Sequence, residues 1–279
     1  LTDVIAPMYP HINAIKEYAT STKADRPLIM CEYSHAMGNA NGTLAEYWEV
    51  IETTHGLQGG FIWEFWDHGP VQTMPDGSTR NAYGGDYGEA KHDGNFCCDG
   101  MVFPDRTAKP AMHEFKAIAA PANISAVAAS TGNFKIFNKN FFKDLSQYEL
   151  HWSITRDGLI SDSGRMKLPK VGPRKTIFFR LKSKFLNRPD GLGERFINFT
   201  LVRTPATAWA PAMSEVGWNQ LALPSRALTI KASKRSELFT HVIDDYGQIV
   251  MPYGRTAPVI SLWRAPTDND RIGHIATKW

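Results

Sequence analysis

Over roughly the first 120 residues, short apolar runs alternate with segments of helical period. Val4 to Tyr9 is an apolar segment closing in Pro7-Met8-Tyr9-Pro10, and from His11 to Thr20 the residues Ile12, Ile15, Tyr18 and Ala19 fall at helical spacing. The run from Pro27 to Met30 leads through Cys31 into Glu32 and closes with polar residues and Gly38, as a buried strand emerging at a sheet edge does. With Asn39 and Asn41 as candidate caps, Leu44, Tyr47, Trp48 and Ile51 stand at i, i+3, i+4 and i+7, and Gly56 is the expected stop. Leu57 to His68 then gives another strand, loaded with aromatic and acidic residues near its end. Strands alternating with helices argue for parallel βα units, the last part of a barrel or of a doubly wound sheet. Three strands are visible where a closed barrel needs eight, so most of such a barrel is expected upstream of Leu1.

From Gly69 to Pro110 the rhythm is lost in a stretch rich in Gly, Asp and Asn. A loop of this length inside a compact domain is usually functional, and Phe96 to Phe103 is too apolar for disorder, so an ordered loop lining a pocket is expected. Ala111 to Ala119 reads as a short closing helix. After Pro121 the pattern changes to short β-rich runs, Phe134 to Phe137, Tyr148 to Thr155, Thr176 to Leu181, Phe196 to Val202 and Ala227 to Ile230, separated by turn signals such as Arg156-Asp157-Gly158. That spacing predicts an immunoglobulin-like β-sandwich. Beyond Ser236 the sequence predicts a hairpin around Tyr246-Gly247 and the start of a further domain. The expected organisation is therefore multidomain: residues 1–120 as the C-terminal part of a barrel, 121–232 as the sandwich, and 233–279 as the start of a third unit.

Composition narrows the function classes without choosing among them. Apolar residues make up 43% of the 279, charged residues 21%, and the net charge is +3 with no clustered Lys/Arg patch, so a nucleic-acid partner is not indicated. No apolar run approaches the roughly 20 residues of a membrane span, and no secretory leader is visible at Leu1-Thr2-Asp3, which predicts a cytoplasmic protein with no membrane partner. Three cysteines, two of them adjacent, fit a reduced compartment. The acceptor triplets at Asn123 and Asn198 are discounted without a leader.

Glu32 is the sharpest candidate for chemistry. A carboxylate at a strand end beside Tyr33, His35 and an aromatic strand suits attack on an anomeric carbon, whose oxocarbenium-like transition state needs a negative group beneath the ring; an ordinary ion pair at a loop edge is the competing reading. Trp63, Phe65 and Trp66 either stack on a sugar or fill a core. Glu64 and Asp67 are further acids, each a candidate proton donor or, on the simpler reading, a structural hydrogen-bonding group. His113-Glu114 lacks the second His of a zinc helix, Asp268-Asn269-Asp270 lacks the spacing of a calcium loop, and Cys97-Cys98 lacks the gap of a zinc knuckle.

The blocks Leu28 to Asn39 (LIMCEYSHAMGN), Leu57 to Asp67 (LQGGFIWEFWD), Tyr83 to Asp86 (YGGD), Phe96 to Phe103 (FCCDGMVF) with Asp105-Arg106-Thr107, and Arg264 to Asp270 (RAPTDND) resemble, in order and spacing, the large bacterial β-galactosidases of glycoside hydrolase family 2. The resemblance implies the C-terminal part of a TIM (β/α)8 barrel, an immunoglobulin-like sandwich, and the truncated start of the family's C-terminal small-chain-type β-sandwich. It implies that Glu32 is the nucleophile of a retaining double displacement, with Tyr9 beside it. Tyr33, Ser34, His35, Trp63 and Asp99 correspond to the galactose site, and the Phe96 carbonyl and the Asp99 side chain to ligands of a sodium ion that touches the sugar. The acid/base Glu and the main magnesium ligands belong to upstream segments of that family, so the chain would hold a partial Na+ site and little of the Mg2+ site. His92 departs from the family pattern and is assigned no metal. The implied partners are a β-galactoside, the remaining parts of the same enzyme, and further copies in a homo-oligomer. A carbohydrate-binding or scaffold module built on the sandwich is the alternative from another class, and a family 2 glycosidase of different sugar specificity the alternative within it.

Overall fold

The computed structural model describes residues 2–38, 40–187, 193–225, 242–243 and 249–250. Its first part is a small parallel sheet backed by helices. Helix α1 (Ile12–Thr20) leads to strand β1 (Leu28–Tyr33), and helix α2 (Leu44–Thr53) leads to strand β2 (Leu57–Ile62), which pairs with β1 in parallel. The segment before α1 adds to the other edge of β1 through parallel bridges Ile5 to Leu28 and Met8 to Glu32. Three parallel chain segments with two crossover helices thus follow the predicted βα order, and among the described residues they form no closed barrel.

The helices bury Ile15, Leu44 and Ile51 against Leu28, Met30, Tyr33 and Leu57, and Gly60 allows this because a Cβ there would meet Met30 and the Tyr33 ring at 2.9 Å. One boundary differs from expectation. Asn41 does not cap α2; its amide donates to the Ser34 carbonyl at 2.7 Å, and Thr43, in a left-handed conformation, precedes the helix. Asn39 lies outside the described residues.

The pairing of β1 with β2 is irregular, with register shifts between Leu28 and Ile29 and between Met30 and Tyr33. From Met30 opposite Gly60 to Tyr33 opposite Ile62, β1 advances three residues (33 − 30) while β2 advances two (62 − 60). The extra residue is a bulge that breaks the alternation of faces. Tyr33 is therefore returned to the buried side, and Glu32 is turned away from it.

The long loop contains a hairpin the sequence did not disclose, β3 (Val71–Thr73) with β4 (Thr79–Asn81). Its Phe96–Phe103 part is ordered as expected, hydrogen-bonded along residues 64–68 through Glu64 N to Asp99 O (2.7 Å), Met101 N to Glu64 O (2.8 Å) and His68 N to Cys97 O (2.8 Å). Helix α3 (Pro110–Ile118) follows, with Pro at its first position.

Seven strands then form a β-sandwich: β5 (Ala122–Ala128), β6 (Asn133–Asn138), β7 (Tyr148–Arg156), β8 (Leu159–Lys167), β9 (Thr176–Arg180), β10 (Arg195–Arg203) and β11 (Ser214–Ala222). They are arranged as an antiparallel sheet β5-β6-β9 and a second antiparallel sheet β11-β10-β7-β8. Phe134, Phe179 and Phe199 meet between the sheets at ring separations of 5.0–6.1 Å, surrounded by Ile136, Leu150, Ile154 and Ile197. The sandwich is tied to the first part by Lys139 to Glu52 (2.7 Å) and Lys116 to Glu215 (2.6 Å). Strands β12 (Val242–Ile243) and β13 (Ile249–Val250) pair antiparallel on either side of the predicted turn; the expected strand at 227–230 and the 264–270 segment lie outside the described residues.

Replacing Phe199 by Ala removes the ring at the centre of that cluster and is expected to cost about 3–5 kcal/mol of stability, whereas Leu159→Ala on exposed β8 is expected to stay within about 0.5 kcal/mol. Denaturant midpoints of the two variants check the contrast.

Candidate active site

At the carboxyl ends of the three parallel segments the chain gathers Tyr9, Glu32, His35, Trp63, Glu64, Phe96 and Asp99. Backbone bonds set the frame: Tyr9 N donates to Glu32 O (2.8 Å), Trp63 N to Tyr33 O (3.1 Å), and Ala36 N to Trp63 O (2.7 Å). Tyr9 and Ser34 both adopt left-handed backbone conformations where their strands end. Such unfavourable conformations persist only where the surroundings over-determine them, and they gather at functional sites.

The Tyr9 hydroxyl is hydrogen-bonded to the Glu32 carboxylate, and burial together with that negative neighbour holds the phenol well above its ordinary range. Tyr9 thus stays protonated and serves as a donor to Glu32. Its ring meets that of His35 edge-on at 6.2 Å, and His35 in turn lies 5.4 Å from the Phe96 ring. His35 Nε2 stands 3.5 Å from Asp99 Oδ2, and Trp63 Nε1 donates to the same oxygen at 3.1 Å. Trp63 remains 41% exposed, so its indole face is available to a ligand while its polar edge is held.

Asp99 is 3% exposed, and its Oδ1 has no hydrogen-bond donor among the described residues. An unpartnered carboxylate oxygen in such a place is costly, and a hard cation is the chemistry that suits it. Asp99 is a group here that a cation could engage. Glu64 also touches Asp99, and burial first, then this second carboxyl, raise Glu64 to about 7, with His68 at 3.4 Å acting in the opposite direction.

The loop bearing Asp99 is anchored from below. Asp67 and Lys109, each 4% exposed at the side chain, form an ion pair at 2.7 Å, and the same Asp67 oxygen accepts Gly100 N at 2.6 Å. Gly100 is required here, because a Cβ would run into the backbone of Trp66 and Asp67.

Most of the residues singled out from the sequence are therefore brought together, with one correction. Tyr33 is 1% exposed, packs in the core and accepts a hydrogen bond from Trp48 Nε1 at 2.9 Å, so its side chain does not join the cluster. The bulge in β1 accounts for this by exchanging the faces of Glu32 and Tyr33. The Ser34 hydroxyl accepts from Asn41 at 3.1 Å and is engaged in the turn. Glu64, open from the sequence between a proton donor and a structural acid, stands beside Asp99; Lys109, directly before the Pro of α3, carries no signal in the sequence.

Since the folded-state pKa of Glu64 is raised above its ordinary 4.5, the stability that its protonated form contributes is fully present below that value and is lost as the pH rises to about 7. Glu64→Gln is expected to flatten this dependence. Denaturant midpoints of both proteins across that window check it, and parallel curves would refute the pairing with Asp99.

Residues 1–124 match the family model described as "Glycosyl hydrolases family 2, TIM barrel domain", and residues 134–224 match "Beta-galactosidase, domain 4". Among characterised relatives, the β-galactosidase of Priestia megaterium is 34% identical over 292 aligned residues, covering 96% of this chain and 28% of the relative. That of Vibrio vulnificus is 34% identical over 239 residues (81% and 23%), and that of Arthrobacter sp. 35% over 277 (93% and 26%). The chain spans less than a third of the length of these relatives. By these matches the chain belongs to glycoside hydrolase family 2.

Proposed function

We propose that the chain carries the nucleophile half of a retaining β-galactosidase site. The observation that carries this reading is the grouping of Glu32, bonded to Tyr9, with His35, Trp63 and Asp99 at the carboxyl ends of parallel segments. In the proposed reaction a Glu32 carboxylate oxygen attacks the anomeric carbon of a terminal galactose as the bond to the aglycone oxygen breaks. The Tyr9 hydroxyl steadies the attacking carboxylate. Trp63 offers an apolar face to the ring, while His35 and Asp99 meet its hydroxyls. Water then cleaves the galactosyl ester and frees Glu32.

Such a double displacement needs a second carboxyl group about 5–5.5 Å from the first, to protonate the leaving oxygen and later activate the water. We infer that this group and the main Mg2+ ligands come from an upstream segment of a longer polypeptide, which would also cover the exposed Met8, Phe61 and Phe65 beside the sheet. The buried Asp99 oxygen and the Phe96 carbonyl are proposed to hold Na+, which when bound would offer a sugar hydroxyl a hard electrophilic contact. The strand orders β5-β6-β9 and β8-β7-β10-β11 support an immunoglobulin-like sandwich, and the whole protein is read as a cytoplasmic homo-oligomer.

In the full-length protein a 2-fluoro galactoside is expected to leave a covalent adduct on the peptide containing Glu32, and Glu32→Gln to lower turnover by roughly 10⁴-fold or more. An adduct on Glu64 would sink the assignment. The 279-residue chain alone is expected not to hydrolyse nitrophenyl galactoside; appreciable turnover would show that the second carboxyl group lies within it.

A further inference from the structure

We propose that Tyr47, on helix α2, is a positioning residue of the candidate site: its hydroxyl pins the Pro10 carbonyl, and Pro10 passes that constraint to Tyr9, which meets Glu32. The proposal rests on the reading of Glu32 as the nucleophile and of Tyr9 as its hydrogen-bonding partner. The Tyr47 hydroxyl donates to the Pro10 carbonyl at 2.7 Å, across 37 residues of sequence. Tyr9 itself has a φ of 46°, in the left-handed region, which costs a residue with a side chain roughly 1–2 kcal/mol. Packing alone does not hold it there, since Tyr9 is 41% exposed.

The constraint reaches Tyr9 from both sides. On the amino side, Tyr9 N donates to Glu32 O at 2.8 Å and Met8 bridges to Glu32, which ties the segment to β1. On the carboxyl side stands Pro10, whose ring fixes its own φ at about −65°. With that torsion locked, a pinned Pro10 carbonyl leaves the Tyr9–Pro10 peptide little room to turn. The direction in which the Tyr9 ring leaves the chain is thereby set, and with it the approach of the hydroxyl to the Glu32 carboxylate.

Tyr47 is itself well anchored. Leu44 and Ile51, one turn before and one turn after it on α2, are buried, and its ring meets that of the buried Tyr33 edge-on at 5.5 Å. Tyr33 follows Glu32 in β1 and accepts from Trp48 Nε1 at 2.9 Å. Helix α2 thus reaches both segments that present the Tyr9–Glu32 pair. A second tyrosine supplies a matched control: the Tyr18 hydroxyl on α1 donates to the Arg26 carbonyl at 2.9 Å, the same chemistry placed before the opposite end of β1.

The test uses the full-length protein, in which Tyr47→Phe removes one oxygen and keeps the ring. This variant is expected to slow both turnover of nitrophenyl galactoside and labelling by a dinitrophenyl 2-fluoro galactoside roughly 10- to 100-fold, the scale of loss from a misplaced catalytic group, with KM moved far less. In a Tyr9→Phe background the same substitution is expected to change either rate by no more than about twofold, because the group it positions is gone. Tyr18→Phe is expected to lower the denaturant midpoint and leave both rates near wild type. Unchanged rates in Tyr47→Phe, an equal loss with and without the Tyr9 hydroxyl, or the same loss in Tyr18→Phe each overturns the proposal. Should Tyr47→Phe lack the native circular dichroism, Pro10→Ala decides, since it keeps the carbonyl and frees the torsion: slowed labelling supports the coupling and wild-type rates refute it. A wild-type adduct that maps away from Glu32 takes down the nucleophile reading and the proposal with it, whereas labelling of Glu32 at an undiminished rate in Tyr47→Phe refutes the proposal alone.

Discussion

The buried ion pair between Asp67 and Lys109 is the constraint on which the candidate site rests. One carboxylate oxygen takes both the Lys109 ammonium and the Gly100 amide, which pins the end of the β2 segment, the loop that carries Asp99 and the entry to α3 to a single point. Burying two charges is expensive, and the geometry recovers that cost only while every partner is in place. Such a joint has little freedom to be partly formed. It fixes Gly100 against Trp66, and thereby fixes Asp99 where Trp63 and His35 can reach it.

Above that joint the site is a layering of rings and acids. Trp63 and His35 meet one oxygen of the buried Asp99, Phe96 lies against the His35 ring, and Tyr9 is bonded to Glu32. Each ring also holds or borders a polar contact, so packing and orientation are supplied by the same side chains. The raised Glu64 shows what the arrangement costs when two carboxyl groups are brought together with no strong base beside them.

Legibility in the sequence followed burial. The helices and the inner strands, whose apolar periods are strong, are found close to their expected limits. The strands that went unseen, β5, β8 and β11, all lie at sheet edges. Edge strands bury little on either face; Leu159–Lys167 is mostly exposed and reads as polar loop. The hairpin at 71–81 is short and exposed for the same reason. At the site, motif blocks point to Glu32, His35, Trp63 and Asp99, but no local signal announces the extra residue in a parallel pair that turns the Tyr33 side chain into the core. Lys109 was invisible because its partner is 42 residues away.

That extra residue between Met30 and Tyr33 makes chain length, more than side-chain identity, the fragile variable of β1. Deleting one residue there would leave the opposite register shift between Leu28 and Ile29 uncompensated and rotate the carboxylate into the hydrophobic layer. Lineages and mutant libraries that vary only by substitution never sample this change. Insertions and deletions should thus be excluded from this short strand even where its individual apolar residues are freely exchanged, and the hairpin loop at 74–78 is where length can drift.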